Sequence, residues 1–421
     1  METLVIHGGQ KLSGRIPVSG SKNATLPILA ATLLTDEKCV IRNVPRLRDT
    51  LTMIKLLQSL GKKVDFRNHV VTVTSGGRTN AVADYDLVST MRGSFCVLGP
   101  LLAKLKKAKV SLPGGCVIGV RPVDLHIKGF RALGAELKIE NGYVIASGKK
   151  LKGTHIYLGG LFGPSVLATA NVMMAATLTP GITVLDSVAC EPEIEDLYNF
   201  LEGMGADLRG KGTPRIGIKG VKELHGFDYT IGPDRIEAGT LILMAVATKS
   251  TLTLTNVEKD HLLVLIDTLR EAGVKFTFQK NTITVTPPKN LKTVSITTYP
   301  YPGFPTDLQA QFMSVAAQTP GISVITEKVF PDRFIHIAEL NRMGARIRRE
   351  GNTAIVEGVK ELYGAPVMAS DLRASAALVV AGLAAKGKTV IHRVYHLDRG
   401  YEDLEKKLKK IGAKVSRQKE K

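Results

Sequence analysis

Cys116 stands in Leu112-Pro113-Gly114-Gly115-Cys116-Val117-Ile118-Gly119, a stretch in which glycines flank one thiol. A glycine-rich loop can move and expose its sulfur, and Arg121 and His126 make the surroundings basic. Positive charge lowers a thiol's pKa and makes it reactive. A surface loop with an incidental cysteine fits the same residues. The other cysteines differ. Cys39 and Cys96 lie in apolar stretches and read as buried packing. Cys190 ends a strand-like stretch and is ambiguous. No C-x-x-C pair occurs, and no disulfide is expected.

A second group of chemically capable residues recurs where an apolar helix begins. These junctions read Ser21-Lys22-Asn23, Ser89-Thr90-Met91-Arg92, Pro164-Ser165-Val166, Asp234-Arg235, Pro305-Thr306-Asp307 and Asp371-Leu372-Arg373. A helix start presents free N–H groups and partial positive charge, and so binds anions. Lys22, Arg92 and Arg373 would add to this, making phosphate or carboxylate binding plausible. Plain capping accounts for the serines and for Asp234, Asp307 and Asp371. It does not account for a cation in a first helical turn, which the dipole disfavours. Asp398-Arg399-Gly400 adds a further loop arginine, a weak signal alone.

These residues are positioned by a repeat. Gly61, Gly134, Gly205, Gly273, Gly344 and Gly412 recur every 68 to 73 residues, each ending a helix-like stretch and opening a strand-like one. A period that regular means one supersecondary unit copied six times. Each unit reads as a short strand, a helix rich in small apolar residues, a β-branched strand, an amphipathic helix and a hairpin, or βαβαββ. The apolar helices cover Leu26–Leu34, Phe95–Leu105, Val166–Leu178, Leu241–Ala247, Ala310–Ala317 and Ala374–Ala385. Lacking a polar face, they should be buried. Asn141-Gly142 between alternating stretches is a tight hairpin turn. The sixth unit lacks its closing strand, whereas Thr3–His7 is a strand with no unit of its own, so the N-terminal strand should complete the sixth unit.

At 421 residues, two domains of three units each are expected: 22–230, and 1–21 with 231–421. No apolar run is long enough to span a bilayer, and no signal peptide is evident, so a cytoplasmic protein is expected. The net charge of +19 is mostly scattered lysine, with no tryptophan and no aromatic interleaving. This disfavours base stacking and reads as a solvated basic face. The histidines lack metal-ligand spacing, and Walker, dinucleotide and zinc-protease motifs are absent.

Taken with Phe304–Gln311, Ser370–Ala376 and Tyr395–Tyr401, the Lys22 junction and the Cys116 loop resemble the UDP-N-acetylglucosamine enolpyruvyl transferases over essentially the whole chain. The resemblance implies a two-domain inside-out α/β barrel with pseudo-threefold symmetry, closing on substrate with the active site in the interdomain cleft. It implies transfer of enolpyruvyl from phosphoenolpyruvate to the 3′-hydroxyl of UDP-N-acetylglucosamine, releasing phosphate, as the first committed step of peptidoglycan synthesis. No metal or organic cofactor and no nucleic acid partner is implied, and a monomer is plausible. The related 5-enolpyruvylshikimate-3-phosphate synthases are the nearest alternative but lack the Pro-Gly-Gly-Cys loop. A DNA sliding clamp is the non-enzyme alternative, on repeats and charge alone.

By the same resemblance Cys116 is the general acid, can form an adduct with phosphoenolpyruvate and is the target of the epoxide fosfomycin. Asp307 is the base facing the sugar hydroxyl. Lys22, Arg121 and Arg399 hold the phosphate and carboxylate of phosphoenolpyruvate, with Arg92 and Arg373 as further contributors, and Asn23 bonds the ketal or sugar hydroxyl. Arg121, Pro122, Val123, Asp124 and Leu125 hold the uracil and ribose side. Ser165 and Val166 meet the diphosphate, Val329 meets the sugar, and Arg333 is a structural cation nearby. One departure from the family is the longer Gly159–Leu167 segment, with Leu167 where many members have glycine.

Overall fold

The apolar helices decide the architecture, because nothing along them can face water. In this computed structural model, which describes residues 2–114 and 123–419, all six are buried. They run over Lys22–Ala31, Leu98–Leu105, Val166–Ala176, Arg235–Ala247, Thr306–Ala316 and Leu372–Ala384. In Leu372–Ala384 every residue from Leu372 to Leu383 is buried. Each fully buried Leu or Ile contributes about 1.5–3 kcal/mol. Alanine, glycine and serine between them let the helix axes approach closely.

The chain forms two compact units, one of residues 20–114 with 123–232, the other of 2–19 with 233–419. In each, three apolar helices pack on one another and three four-stranded sheets cover them. Every sheet has the same plan. A short strand lies parallel to a longer one, the closing strand lies antiparallel beside that, and the remaining strand lies outermost. Ile296–Thr297, Gly321–Thr326, Thr353–Gly358 and Arg346–Glu350 illustrate it. The six repeat glycines all have φ between 91° and 99°, the left-handed conformation that ends an amphipathic helix. Asn141 and Gly142 both have positive φ and join Glu136–Glu140 to Tyr143–Ser147 in a two-residue turn.

The strand Glu2–His7 lies between Lys388–His392 and Lys414–Lys419, antiparallel to both, with Ile6 opposite Thr389 on one side and Val415 on the other. It occupies the closing-strand position of the sixth sheet. The short first strands depart from the simple repeat order. Gly14–Pro17, which precedes the first helix, pairs with Leu252–Thr255 of the fourth repeat. Asp228–Thr230, which precedes the fourth helix, pairs with Cys39–Arg42 of the first. Repeats one and four therefore exchange first strands. Local pattern marks a strand but does not choose its parallel partner, because that pairing closes a long loop. The fourth and fifth apolar helices begin earlier than hydrophobicity suggests, at Arg235 rather than Leu241 and at Thr306 rather than Ala310, since polar residues fill the first turns, whereas the second begins later, at Leu98 rather than Phe95, because Arg92–Val97 is 3-10.

Within the first unit the chain segment after Asp228–Thr230 is anchored by Asp196. Its carboxylate accepts from Tyr229 Oη at 2.7 Å and from Gly232 N–H at 3.2 Å. Burial outweighs these bonds and pushes its pKa up to about 6, from an ordinary value of 3.8. A carboxyl whose pKa is higher folded than unfolded binds more protons when folded, so its contribution is present below the unfolded value and is lost as pH rises through the folded one. Stability should therefore fall between about pH 4 and pH 6 through this group, by on the order of 1–3 kcal/mol. Asp196→Asn should flatten that part of the profile of urea midpoint against pH; an unaltered slope would remove Asp196 as its source.

Candidate active site

The helix starts gather the charged residues, and the local reasons differ from one to the next. Ser21 caps the first helix, its hydroxyl accepting from Ala24 N–H at 3.3 Å. Lys22 is thus the first helical residue, where the dipole disfavours it. Asp49 compensates: its carboxylate lies 3.0 Å from Lys22 Nζ, and both side chains are largely buried. Asp49 sits among Thr50, Met53, Ile54, Leu56 and Leu57 on the inward face of the amphipathic helix Arg48–Ser59. An acid in the apolar phase of that helix was the signal available in sequence. Asn23 follows on the same turn and is half-buried.

Arg92 begins a 3-10 segment, Arg92–Val97, and not an α-helix. It lies near His126, which is buried, and burial followed by the Arg92 charge pushes that imidazole down to about 3. His126 is therefore neutral at physiological pH, so it does not supply the positive charge expected of it. Its Nδ1 accepts from Asn171 Nδ2 at 3.1 Å, and Asn171 also donates to Phe95 O and accepts from Gly99 N–H. The ring is a packed, hydrogen-bonded element of the helix core. Cys116, Arg121 and Pro122 lie outside the described residues. Of their neighbours, Val123 and Leu125 are half-buried, and Asp124 is exposed at the start of the helix Asp124–Ala132.

Ser165 caps the helix Val166–Ala176, accepting from Ala168 N–H at 3.3 Å. The longer segment before it forms a tight turn in which Gly160 and Gly163 exchange two backbone hydrogen bonds of 3.1 Å, leaving Leu161 and Phe162 exposed. Cys39 and Cys96 are buried, and burial raises both thiols, Cys96 to about 12. Burial, and then Glu191 and Glu195, raise Cys190 as well. None of these three has the environment of a reactive thiol.

In the second unit Asp234 and Asp371 cap their helices, each accepting two N–H groups. Asp307 does not, although capping is one sequence reading of it. Pro305 holds the cap position, and Asp307 is the second helical residue. Its carboxylate is instead gripped by two guanidinium groups, Arg333 Nη1 to Oδ1 at 2.8 Å and Arg373 Nη2 to Oδ2 at 3.0 Å. Arg333 and Arg373 side chains are 7% and 2% exposed, while that of Asp307 keeps 27%. Burial alone would lower Arg373, but the charge of Asp307 and its contacts with Tyr401 outweigh it and raise it. Arg373 Nη1 donates to Tyr401 Oη at 3.1 Å, and the two hydrogens of Gln311 Nε2 are shared among Asp307 O at 2.9 Å, Thr240 Oγ1 at 3.1 Å and Tyr401 Oη at 3.2 Å. Arg399 ends the 3-10 segment Val394–Arg399 and is half-buried. The preceding Asp398 is fixed by Arg417 through bonds of 2.9 and 2.7 Å. Val329 N–H donates to Glu327 Oε1 at 2.9 Å.

A profile of the EPSP synthase family (3-phosphoshikimate 1-carboxyvinyltransferase) matches residues 6–408. The chain belongs to that family. It is 51% identical over 417 residues to the UDP-N-acetylglucosamine 1-carboxyvinyltransferase of Methylacidiphilum infernorum, covering 99% of each chain. It is 52% identical over 419 residues to UDP-N-acetylglucosamine 1-carboxyvinyltransferase 2 of Carboxydothermus hydrogenoformans, again covering 99% of each. Among solved structures, the enolpyruvyl transferase NikO of Streptomyces tendae superposes with a TM-score of 0.90 at 26% identity, covering 100% of this chain and 99% of that one. The EPSP synthase of Acinetobacter baumannii, at 19% identity and a TM-score of 0.76 with both chains fully covered, shares the fold. The fold is that of the enolpyruvyl transferases.

In this enolpyruvyl transferase the grouping of Asp307 with Arg333, Arg373, Gln311, Thr240 and Tyr401 was only partly readable from sequence. Asp307 and Arg373 stand out as charges at helix starts and Arg333 stands out only through the family resemblance, whereas Thr240 and Gln311 look like ordinary helix-core residues. Among the described residues no cluster of metal-ligating side chains occurs, and no helix is long and apolar enough to cross a membrane. Arg373→Met removes a buried guanidinium bonded to Asp307 and Tyr401 but leaves Arg333 on that carboxylate, so it should cost about 1.5–3 kcal/mol in urea unfolding. Arg42 and Asp228 form a similar pair at 2.7 Å with both side chains about half exposed, and Arg42→Ala should cost much less. Equal costs would mean that burial does not govern these pairs.

Proposed function

We propose that this chain transfers the enolpyruvyl group of phosphoenolpyruvate to the 3′-hydroxyl of UDP-N-acetylglucosamine, releasing phosphate. The observation that carries this is half-identity, over almost the full length of both chains, to proteins bearing that name. Retention of the Pro113-Gly114-Gly115-Cys116 loop favours the UDP-sugar over shikimate 3-phosphate. In this reading the enzyme acts in the cytoplasm at the first committed step of peptidoglycan synthesis, and so serves cell growth and division.

The chemistry is addition followed by elimination. Cys116 delivers a proton to the methylene carbon of phosphoenolpyruvate, which makes the central carbon cationic. The sugar hydroxyl attacks that carbon and passes its proton to Asp307. The tetrahedral ketal then loses a proton and phosphate. Lys22, Arg121 and Arg399 hold the phosphate and carboxylate, whose planar or tetrahedral oxygens suit guanidinium forks and a lysine point charge. Arg92 adds positive potential. Arg373, buried and shared between Asp307 and Tyr401, contributes by holding the base. Asn23 bonds the ketal. Pro122, Val123, Asp124 and Leu125 serve the uracil and ribose, Ser165 and Val166 the diphosphate, and Val329 the sugar. The glycines around Cys116 let its loop close and reopen.

Phosphate release from phosphoenolpyruvate should require UDP-N-acetylglucosamine, fail with shikimate 3-phosphate and be blocked by fosfomycin; release with shikimate 3-phosphate instead would overturn the reading. Cys116→Ser should cut turnover by at least about a hundredfold and abolish alkylation by fosfomycin. Full activity in that variant would remove Cys116 as the acid. Lys22→Ala should weaken phosphoenolpyruvate binding about tenfold or more while sparing the nucleotide. Equal weakening of both ligands, measured by calorimetry, would place Lys22 elsewhere.

A further inference from the structure

Glu327 is a fully buried carboxylate to which the mechanism above gives no part. It follows the strand Gly321–Thr326 on the inward phase that Ser323 and Ile325 share. Burying a carboxylate is costly unless its oxygens are satisfied. Here Oε1 accepts from Thr298 Oγ1 at 2.6 Å and from the N–H groups of Val329 and Phe330 at 2.9 Å each. Oε2 accepts from Thr306 Oγ1 at 2.9 Å. One side chain thus ties together the two segments that carry Asp307 and Val329.

The polarity of these bonds matters. A carboxylate only accepts, so Thr306 must spend its single proton on Glu327. Its lone pairs are then left to accept from Arg333 Nη1, which lies 3.1 Å away and also donates to Asp307 Oδ1 at 2.8 Å. The order Thr306 to Glu327, Arg333 to Thr306 and Arg333 to Asp307 is the only one compatible with the donors present. In Glu327→Gln an amide nitrogen in place of Oε2 would reverse the first bond, so that Thr306 accepts from two donors at once and its own proton loses the acceptor that holds the hydroxyl in place.

We propose that Glu327 is a positioning residue for the acceptor side of the reaction, fixing the Asp307 carboxylate through Thr306 and Arg333 and fixing the Val329–Phe330 backbone directly. The inference rests on the functional reading above. A buried carboxylate is not needed for stability alone, since a well-packed apolar side chain does as well. Its particular consequence is the orientation of groups that a hydroxyl nucleophile must meet within a few tenths of an ångström.

The test is steady-state phosphate release by the full chain, with Glu327→Gln, Thr306→Val, Thr306→Ser and the double variant Glu327→Gln/Thr306→Val. Glu327→Gln and Thr306→Val should each lower kcat about ten- to a hundredfold, with KM for phosphoenolpyruvate unchanged within about twofold. Thr306→Ser, which keeps the hydroxyl, should retain kcat within about threefold, and the double variant should be no worse than the poorer single. Unchanged kcat in Thr306→Val, multiplied losses in the double variant or a matching rise in KM for phosphoenolpyruvate would each overturn the proposal. Should Glu327→Gln fail to fold, the Thr306→Val and Thr306→Ser pair decides alone. No release by the wild type with the UDP-sugar would overturn the functional reading and this inference with it, whereas an active wild type beside an equally active Thr306→Val overturns the inference only.

Discussion

Six helices without a polar face must be kept from water, and the rest of the structure follows from that requirement. A helix such as Leu372–Ala384, buried on every side, needs cover in all directions. One amphipathic helix and one four-stranded sheet cannot supply it. Three repeats can, because each buries its own apolar helix against the other two and lays its sheet outside. The same logic explains why the sixth sheet recruits Glu2–His7. Without that strand, Lys388–His392 and Lys414–Lys419 would present unpaired edges above a buried helix.

Burial of the helix bodies leaves their N-termini as the places where polar groups can emerge. Each start must satisfy its free N–H groups, and the chain does so in distinct ways. Ser21, Ser165, Asp234 and Asp371 cap with their own side chains. At Thr306–Ala316 no side chain caps, and Asp307 turns instead to Arg333 and Arg373. Lys22 stands where a cation is unfavourable and is offset by Asp49. Charge is thus paired and oriented at helix starts within each unit. The overall charge of +19 is a different matter: much of it is lysine on exposed strands and helices, and nothing in the structure explains it.

The pairs also show how burial assigns roles. Arg373 and Arg333 are fixed by Asp307 and by hydroxyls, so their charge acts through the carboxylate they hold. His126, by contrast, loses its charge to burial and to Arg92, and becomes a hydrogen-bonded packing element with Asn171 and Phe95. Closeness in sequence to other basic residues is thus no guide to whether a histidine carries charge.

The repeat glycines, the apolar helices, the hairpin turns and the odd N-terminal strand were all legible in the sequence, because each is set by periodicity or by a backbone conformation that few residues adopt. Lys22, Asp307, Arg373 and Arg399 were legible as charged residues at helix starts and loops. Their partners were not. Asp49 and Glu327 lie in the inward phase of a helix and at the end of a strand, where sequence shows only an acid among apolar residues. Thr240, Gln311 and Tyr401 meet around Arg373 from three places in the chain, separated by up to 161 residues. The exchange of Gly14–Pro17 and Asp228–Thr230 between the first and fourth sheets was likewise settled by tertiary structure. The sequence by itself determined which segments are helix, strand and turn and which residues carry charge, since those depend on neighbours within a few positions. Only the folded chain decided which strand pairs with which and which acid faces which cation, since those depend on contacts between segments that sequence distance does not relate.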